Sequence, residues 1–153
     1  PPFNSHNVAR CESNEMFKYV LNDQSVGAFA GKVLVKENCP RTVAYQGNRN
    51  IVASADAKMY SKPQLEIYTD DVKCSHGSAT GQLNEEALFY MRSRGISEAE
   101  ARQLLMQAFM SDVIDAVRLP ALKDRLHHLV EKRFRGQLAM CADCTAANCA
   151  AAK

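Results

Sequence analysis

Two residues, Cys74 and His76, stand two apart in the run DDVKCSHG. If residues 72–76 are extended, side chains alternate between faces, so thiol and imidazole project the same way, about 7 Å apart at two residues' rise. A thiolate and an imidazole on one face suit zinc, copper or iron–sulfur chemistry. Two ligands do not close a site, which usually takes four. The competing account is a packed thiol beside a hydrogen-bonded imidazole. A Cys–His nucleophilic pair needs the ring to reach the sulfur and a third group to orient it, whereas neighbours on one strand point past each other.

A second set of thiols lies near the end, in LAMCADCTAANCAAAK, where Cys141, Cys144 and Cys149 are spaced C-x-x-C-x-x-x-x-C. Three thiols so spaced suit zinc, copper(I) or a transient cluster, with the fourth ligand missing locally. The plainer reading is a tail with no specific role. The remaining candidates resolve more simply. Asp70-Asp71 reads as a solvated turn. His127 and His128 are consecutive on a helix and diverge. Lys132, Arg133 and Arg135 read as a solvated helix end that complements the dipole. Residues 27–33, GAFAGKV, imitate a phosphate-binding loop but have three residues between the glycines and Val33 after the lysine. The loop needs four, followed by Ser or Thr.

The elements that must position these groups change character near Gly81. Before it, short β-type runs occupy residues 16–21, 26–35, 42–46, 50–54 and 65–68, each bounded by Asn, Asp, Gly or Pro. Gly47-Asn48-Arg49-Asn50 supplies polar turn residues. Many short strands without a hairpin dipeptide suit a sandwich or a β-solenoid. After Gly81, Asn84 caps a helix over 85–94 that Gly95 ends. Ser97 with Glu100 forms a capping box, opening a helix that runs to about residue 118. Its apolar positions Leu104, Leu105, Ala108, Phe109, Val113, Ile114 and Val117 form a broad stripe suited to a partner or to the strand half. Pro120 opens a third helix that lasts until Gly136.

Composition sets the outer limits. With 153 residues, 46% of them hydrophobic and 24% charged, the chain reads as one soluble globular domain, or one with an appendage. A formal charge of +2 is too small to argue for nucleic acid or an anionic membrane as the main partner. No apolar run approaches the roughly 18 residues of a membrane span. The start, PPFNSHNVAR, does not read as a signal peptide and points to a piece of a longer chain. Six cysteines in a chain large enough to form a core without staples read as reduced thiols of a cytoplasmic protein.

The segment SKPQLEIYTDDVKCSHGSATGQLNEEALFYMRSRGISEAEAR resembles the C-terminal part of the SufD branch of the SufB/SufD family of iron–sulfur cluster assembly scaffolds. CESNEMFKYVLNDQSVGAFAGKVLV and TVAYQGNRNIVASADAKMYSKPQLEIY resemble the same family, so the similarity covers roughly residues 3–135. It implies an α+β fold: a truncated right-handed parallel β-helix over 1–82, then a helical domain over 83–136 that docks the ATPase SufC. Residues 137–153 would be a flexible Cys-containing tail beyond the similarity. It implies pairing with SufB through the β-helix and no enzymatic activity of the chain itself. His76, and more weakly Cys74, would touch a transient cluster or iron shared with SufB, with none expected in the isolated fragment. The alternative is a structural interaction module, or a metal-binding solenoid, without direct cluster ligation. A β-helix cut short exposes backbone donors and acceptors, so the fragment is expected to pair with itself as a homodimer.

Overall fold

Period-two burial organises residues 43–52, VAYQGNRNIV. Ala44, Gln46, Asn48 and Asn50 are buried, while Tyr45 and Arg49 between them are exposed. In the computed structural model, which describes residues 1–137, this stretch is a single strand, β5 (Val43–Val52). It forms the middle of a three-stranded sheet with β2 (Glu12–Leu21) on one side and β8 (Lys73–Gly81) on the other. A second sheet has the order β1 (Phe3–His6), β4 (Lys32–Val35), β7 (Gln64–Ile67), and β3 (Val26–Phe29) pairs β6 (Lys58–Ser61). These pairings are parallel, so the sandwich of antiparallel strands is set aside.

The register repeats. Phe3 lies beside Lys32 and Lys32 beside Gln64, while Glu12 lies beside Val43 and Val43 beside Lys73. Each strand thus stacks on the one about thirty residues earlier, the separation a parallel partner reached by a long crossover requires. The bends between strands repeat as well. Arg10, Arg41 and Asp71 take φ of 61°, 60° and 58°, left-handed values that no glycine marks in the sequence. Arg10 N–H donates to Pro40 O at 3.0 Å and Arg41 N–H to Asp71 O at 2.7 Å, tying successive bends together.

The core lies between the sheets. Phe29, Val33, Val35 and Cys39 are almost wholly buried. The Phe29 ring meets Phe17 at 5.0 Å and the edge of Tyr19 at 6.3 Å between centroids. Burying each such side chain contributes about 1.5–3 kcal/mol before the entropy of ordering is counted. Beside this apolar part runs a polar one. Asn48 and Asn50 exchange amide hydrogen bonds at 3.0 and 2.8 Å, and Asn48 Oδ1 also accepts from Ser61 Oγ and Ser78 Oγ. The expected turn at residues 47–50 is therefore corrected. The amides that signalled a turn are consumed inside the strand ladder, and Gly47 leaves room for Met16, whose Cε would lie 2.6 Å from a Cβ there. The expected run 26–35 is likewise two strands, divided at Ala30-Gly31.

Helix signals were more direct. Asn84 Oδ1 accepts from Ala87 N–H at 3.0 Å and opens α1 (Glu85–Ser93). Gly95, at φ +89°, closes it: Ile96 N–H reaches Met91 O and Gly95 N–H reaches Arg92 O. Ser97 Oγ accepts from Glu100 N–H at 3.3 Å at the start of α2 (Glu98–Asp115), which ends three residues before the expected position. α3 (Pro120–Phe134) closes on Gly136, at φ +69°, by the same pair of bonds.

The chain divides into two compact units, one ending at Arg102 and the other beginning at Gln103, so the division falls inside α2. In the first, Arg102 Nη2 donates to Ala53 O, and Leu88 and Ala101 are buried. In the second, Gln103 Nε2 donates to Phe134 O, and Asp115 Oδ1 accepts from His127 Nε2 at 3.2 Å with Lys123 Nζ at 3.7 Å. Of the expected α2 stripe, Ile114 is buried, while Leu104 and Ala108 are exposed.

Candidate functional site

Residues 73–76 are extended, as the face argument requires for Cys74 and His76, with Lys73 opening β8. Register places Cys74 beside Ala44, His76 beside Gln46, Ser78 beside Asn48 and Thr80 beside Asn50. Paired residues of a parallel ladder share a face. Asn50 Nδ2 donates to Thr80 Oγ1 at 3.1 Å and Ser78 Oγ to Asn48 Oδ1 at 3.2 Å, so that face is the one on which β5 is buried. Cys74 and His76 thus continue the inner rows of β5. β8 is the edge of its sheet, so the row is covered on one side only: Cys74 is half-buried and His76 exposed.

The row through His76 is polar from end to end. Glu15 on β2 pairs with Gln46, and Gln46 with His76. Gln46 Nε2 donates to Glu15 Oε2 at 2.9 Å and Asn4 Nδ2 to Glu15 Oε1 at 2.8 Å. Gln46 Oε1 is buried and has no hydrogen-bond partner among the described residues. In the sequence, Gln46 falls at the end of the expected strand 42–46, and the amides at every second place of QGNRN are the signal for the buried face of β5 that the expected turn at 47–50 obscures.

Burial pushes the Cys74 thiol above its ordinary value, and a hydrogen bond with the Ala44 backbone pulls the other way. A thiol held protonated is a weaker nucleophile and a slower metal ligand than a free one. Cys11, Cys39 and Cys74 are free thiols. Cys39 is fully buried and donates to His6 O at 3.6 Å, so it reads as packing. Among the described residues no group of three or more His, Cys, Asp or Glu side chains is placed to hold a metal ion. Cys74 and His76 therefore stand as two donors on one face of the edge strand. Cys141, Cys144 and Cys149 lie outside the described residues. His127 pairs with Asp115 and His128 is exposed. Asp71 sits at a bend with its carboxylate 3.8 Å from Arg41 Nε. Gly27 and Gly31, in the phosphate-loop imitation, are buried beside side chains. No helix among the described residues is long and apolar enough to cross a membrane.

The family model described as SUF system FeS cluster assembly, SufBD core domain, matches residues 3–109. The iron–sulfur cluster assembly protein SufD of Escherichia coli (strain K12) is 36% identical over 131 residues, covering 86% of this chain and 31% of that protein. A SufBD-family cluster assembly protein of Synechocystis sp. is 40% identical over 121 residues, covering 79% of this chain and 27% of the relative. One from Mycobacterium leprae is 36% identical over 129 residues, covering 79% and 33%. The chain thus spans about a third or less of the length of these relatives. Their names describe assembly and no reaction. A core-domain match across most of the chain and this level of identity place the chain in the SufBD family of iron–sulfur cluster assembly proteins.

Proposed function

We propose that this chain is part of a non-enzymatic scaffold subunit on which an iron–sulfur cluster is assembled in a complex of the SufBCD type. Its stacked parallel strands are read as the last coils of a right-handed parallel β-helix, with 1–82 as coils, 83–136 as a docking domain and 137–153 as a tail. The observation that carries the proposal is β8, an edge strand bearing an exposed imidazole on a polar row. Lys73 N–H donates to Thr42 O, so the N–H groups of Cys74, His76, Ser78 and Thr80 alternate to the outer side. An edge of that kind takes an added strand by main-chain pairing. A SufB partner seated there would lie beside His76 and would supply the ligands that the described residues do not bring together.

In this reading iron or the nascent cluster is cargo, held at the join by His76 with a weaker contribution from Cys74, whose raised thiol favours the protonated form. The helices after Gly81 receive the SufC ATPase, which supplies the ATP-driven work. The assembly operates in the cytoplasm, and the isolated fragment pairs with a second copy through the same edge. No role is assigned to nucleic acid or membrane. Replacing His76 by Ala in the full-length protein tests the reading. The complex is expected to form normally while its cluster yield falls several-fold.

A second reading is a structural module without cluster ligation. It is favoured by the way Ser78 and Thr80, on the same face of β8 as His76, serve to close the Asn48–Asn50 network. An unchanged cluster yield in the His76→Ala complex supports this second reading.

A further inference from the structure

Glu15, Gln46 and His76 occupy one row on three adjacent strands. An ionised carboxylate only accepts hydrogen bonds. Glu15 takes one from Asn4 Nδ2 and one from Gln46 Nε2. The orientation of the Gln46 amide is thereby set: its nitrogen faces Glu15 and its oxygen is left over. That oxygen is buried without a partner, on a residue only 3% exposed. Buried polar atoms are ordinarily bonded, so a donor belongs there. The neighbouring side-chain donors are engaged elsewhere: Asn48 Nδ2 with Asn50, Ser78 Oγ with Asn48 and Ser61, Asn4 Nδ2 with Glu15. Gly31, over which the amide lies, offers no side chain. The next place in the row, one strand spacing of about 4.8 Å away, is His76.

We infer that Gln46 is the positioning residue for His76: its amide, fixed by Glu15, accepts a ring N–H of the imidazole and leaves the other ring nitrogen's lone pair facing the open side of β8. A neutral imidazole has one N–H and one lone pair, so a bond at one nitrogen selects the tautomer and aims the other. Histidines that bind metals are held this way by a carbonyl or carboxylate on the far nitrogen. From this structure the step takes rotation of the exposed His76 side chain together with a shift of the atoms that cover the Gln46 oxygen, on an unmoved strand. The row then runs carboxylate, amide, imidazole, each group orienting the next. This deepens the reading of His76 as a ligand and rests on it for what the freed lone pair does.

The test uses the chain labelled with ¹⁵N-histidine, with long-range ¹⁵N–¹H correlation spectra and ring N–H exchange read together. His76 resonances are assigned by their loss in His76→Ala. In the unsubstituted chain His76 is expected as a single tautomer with a protected ring N–H. In Gln46→Met the exchange is expected about tenfold faster, the loss of one ordinary hydrogen bond, with both tautomers present. In Glu15→Gln, whose new amide lets Gln46 turn round, the change runs the same way. That variant decides the matter if Gln46→Met does not fold by circular dichroism. Equal exchange and tautomer in the unsubstituted chain and the folded variants overturn the inference. The two readings separate: a His76→Ala complex with normal cluster content removes the ligand role and leaves the hydrogen bond standing. Unprotected His76 in a chain whose cluster content still depends on it removes the positioning role alone.

Discussion

A Cβ added at Gly31 would sit 2.7 Å from Gln46 Oε1 and inside contact distance of the Phe29 ring, with both side chains buried. Neither neighbour is a free chain end that can swing aside, so Gly31→Ala is expected to destabilise the fold by about 1–3 kcal/mol in urea unfolding. A chemical prediction concerns Cys74. Its raised thiol keeps the proton to higher pH in the folded chain than in the unfolded one. Alkylation of Cys74 is therefore expected to be slower than in urea-unfolded chain near pH 8 and to rise only at higher pH. Between the unfolded and folded values the native state binds more protons, so this group's contribution to stability is full below the ordinary thiol range and is lost as pH rises through the raised folded value. Equal alkylation rates in the folded and unfolded chain would contradict the burial. At this scale the sequence was partly legible. Cys74 and His76 were visible because period-two alternation needs only the assumption of a strand. Glu15 and Gln46 were not, because a row across strands depends on register between residues about thirty places apart.

Elements differ in how locally they are encoded. α1 was readable because Asn84 and Gly95 act within a few residues of the turns they satisfy. Replacing Asn84 by Ala removes the bond to Ala87 N–H and is expected to cost about 1 kcal/mol. β5 misled for the converse reason. Gly47, Asn48 and Asn50 are turn formers in isolation, and only the Ser61, Ser78 and Thr80 hydroxyls of other strands make them strand residues. Asn48→Ala leaves the buried Asn50 Oδ1 without the amide that donates to it. It is expected to destabilise by about 1–3 kcal/mol, more than the exposed cap, as thermal unfolding would show. An Asn48→Ala effect no larger than that of Asn84→Ala would mean that the ladder adds nothing to the strand. β1 and β6 escaped notice because four residues each, FNSH and KMYS, carry no periodicity long enough to read.

For the whole molecule, the parallel sheets and the stacked register place a strand with one open edge, β8, at the end of its sheet in the first unit, and the strongest donor pair of the sequence lies on it. Self-association follows from the same edge. Sedimentation across the micromolar range is expected to show a concentration-dependent dimer, and a monomer throughout would contradict a free pairing edge. The parallel class was implied by resemblance and not by strand spacing, since spacing alone left a sandwich open. The central claim is that the chain contributes an imidazole to metal bound jointly with a partner. Pulsed electron paramagnetic resonance of the reduced complex, prepared with ¹⁵N-histidine in this subunit only, addresses it most directly. The account predicts a histidine nitrogen coupled to the cluster and lost in His76→Ala; no coupling, or coupling unchanged by that substitution, would contradict it.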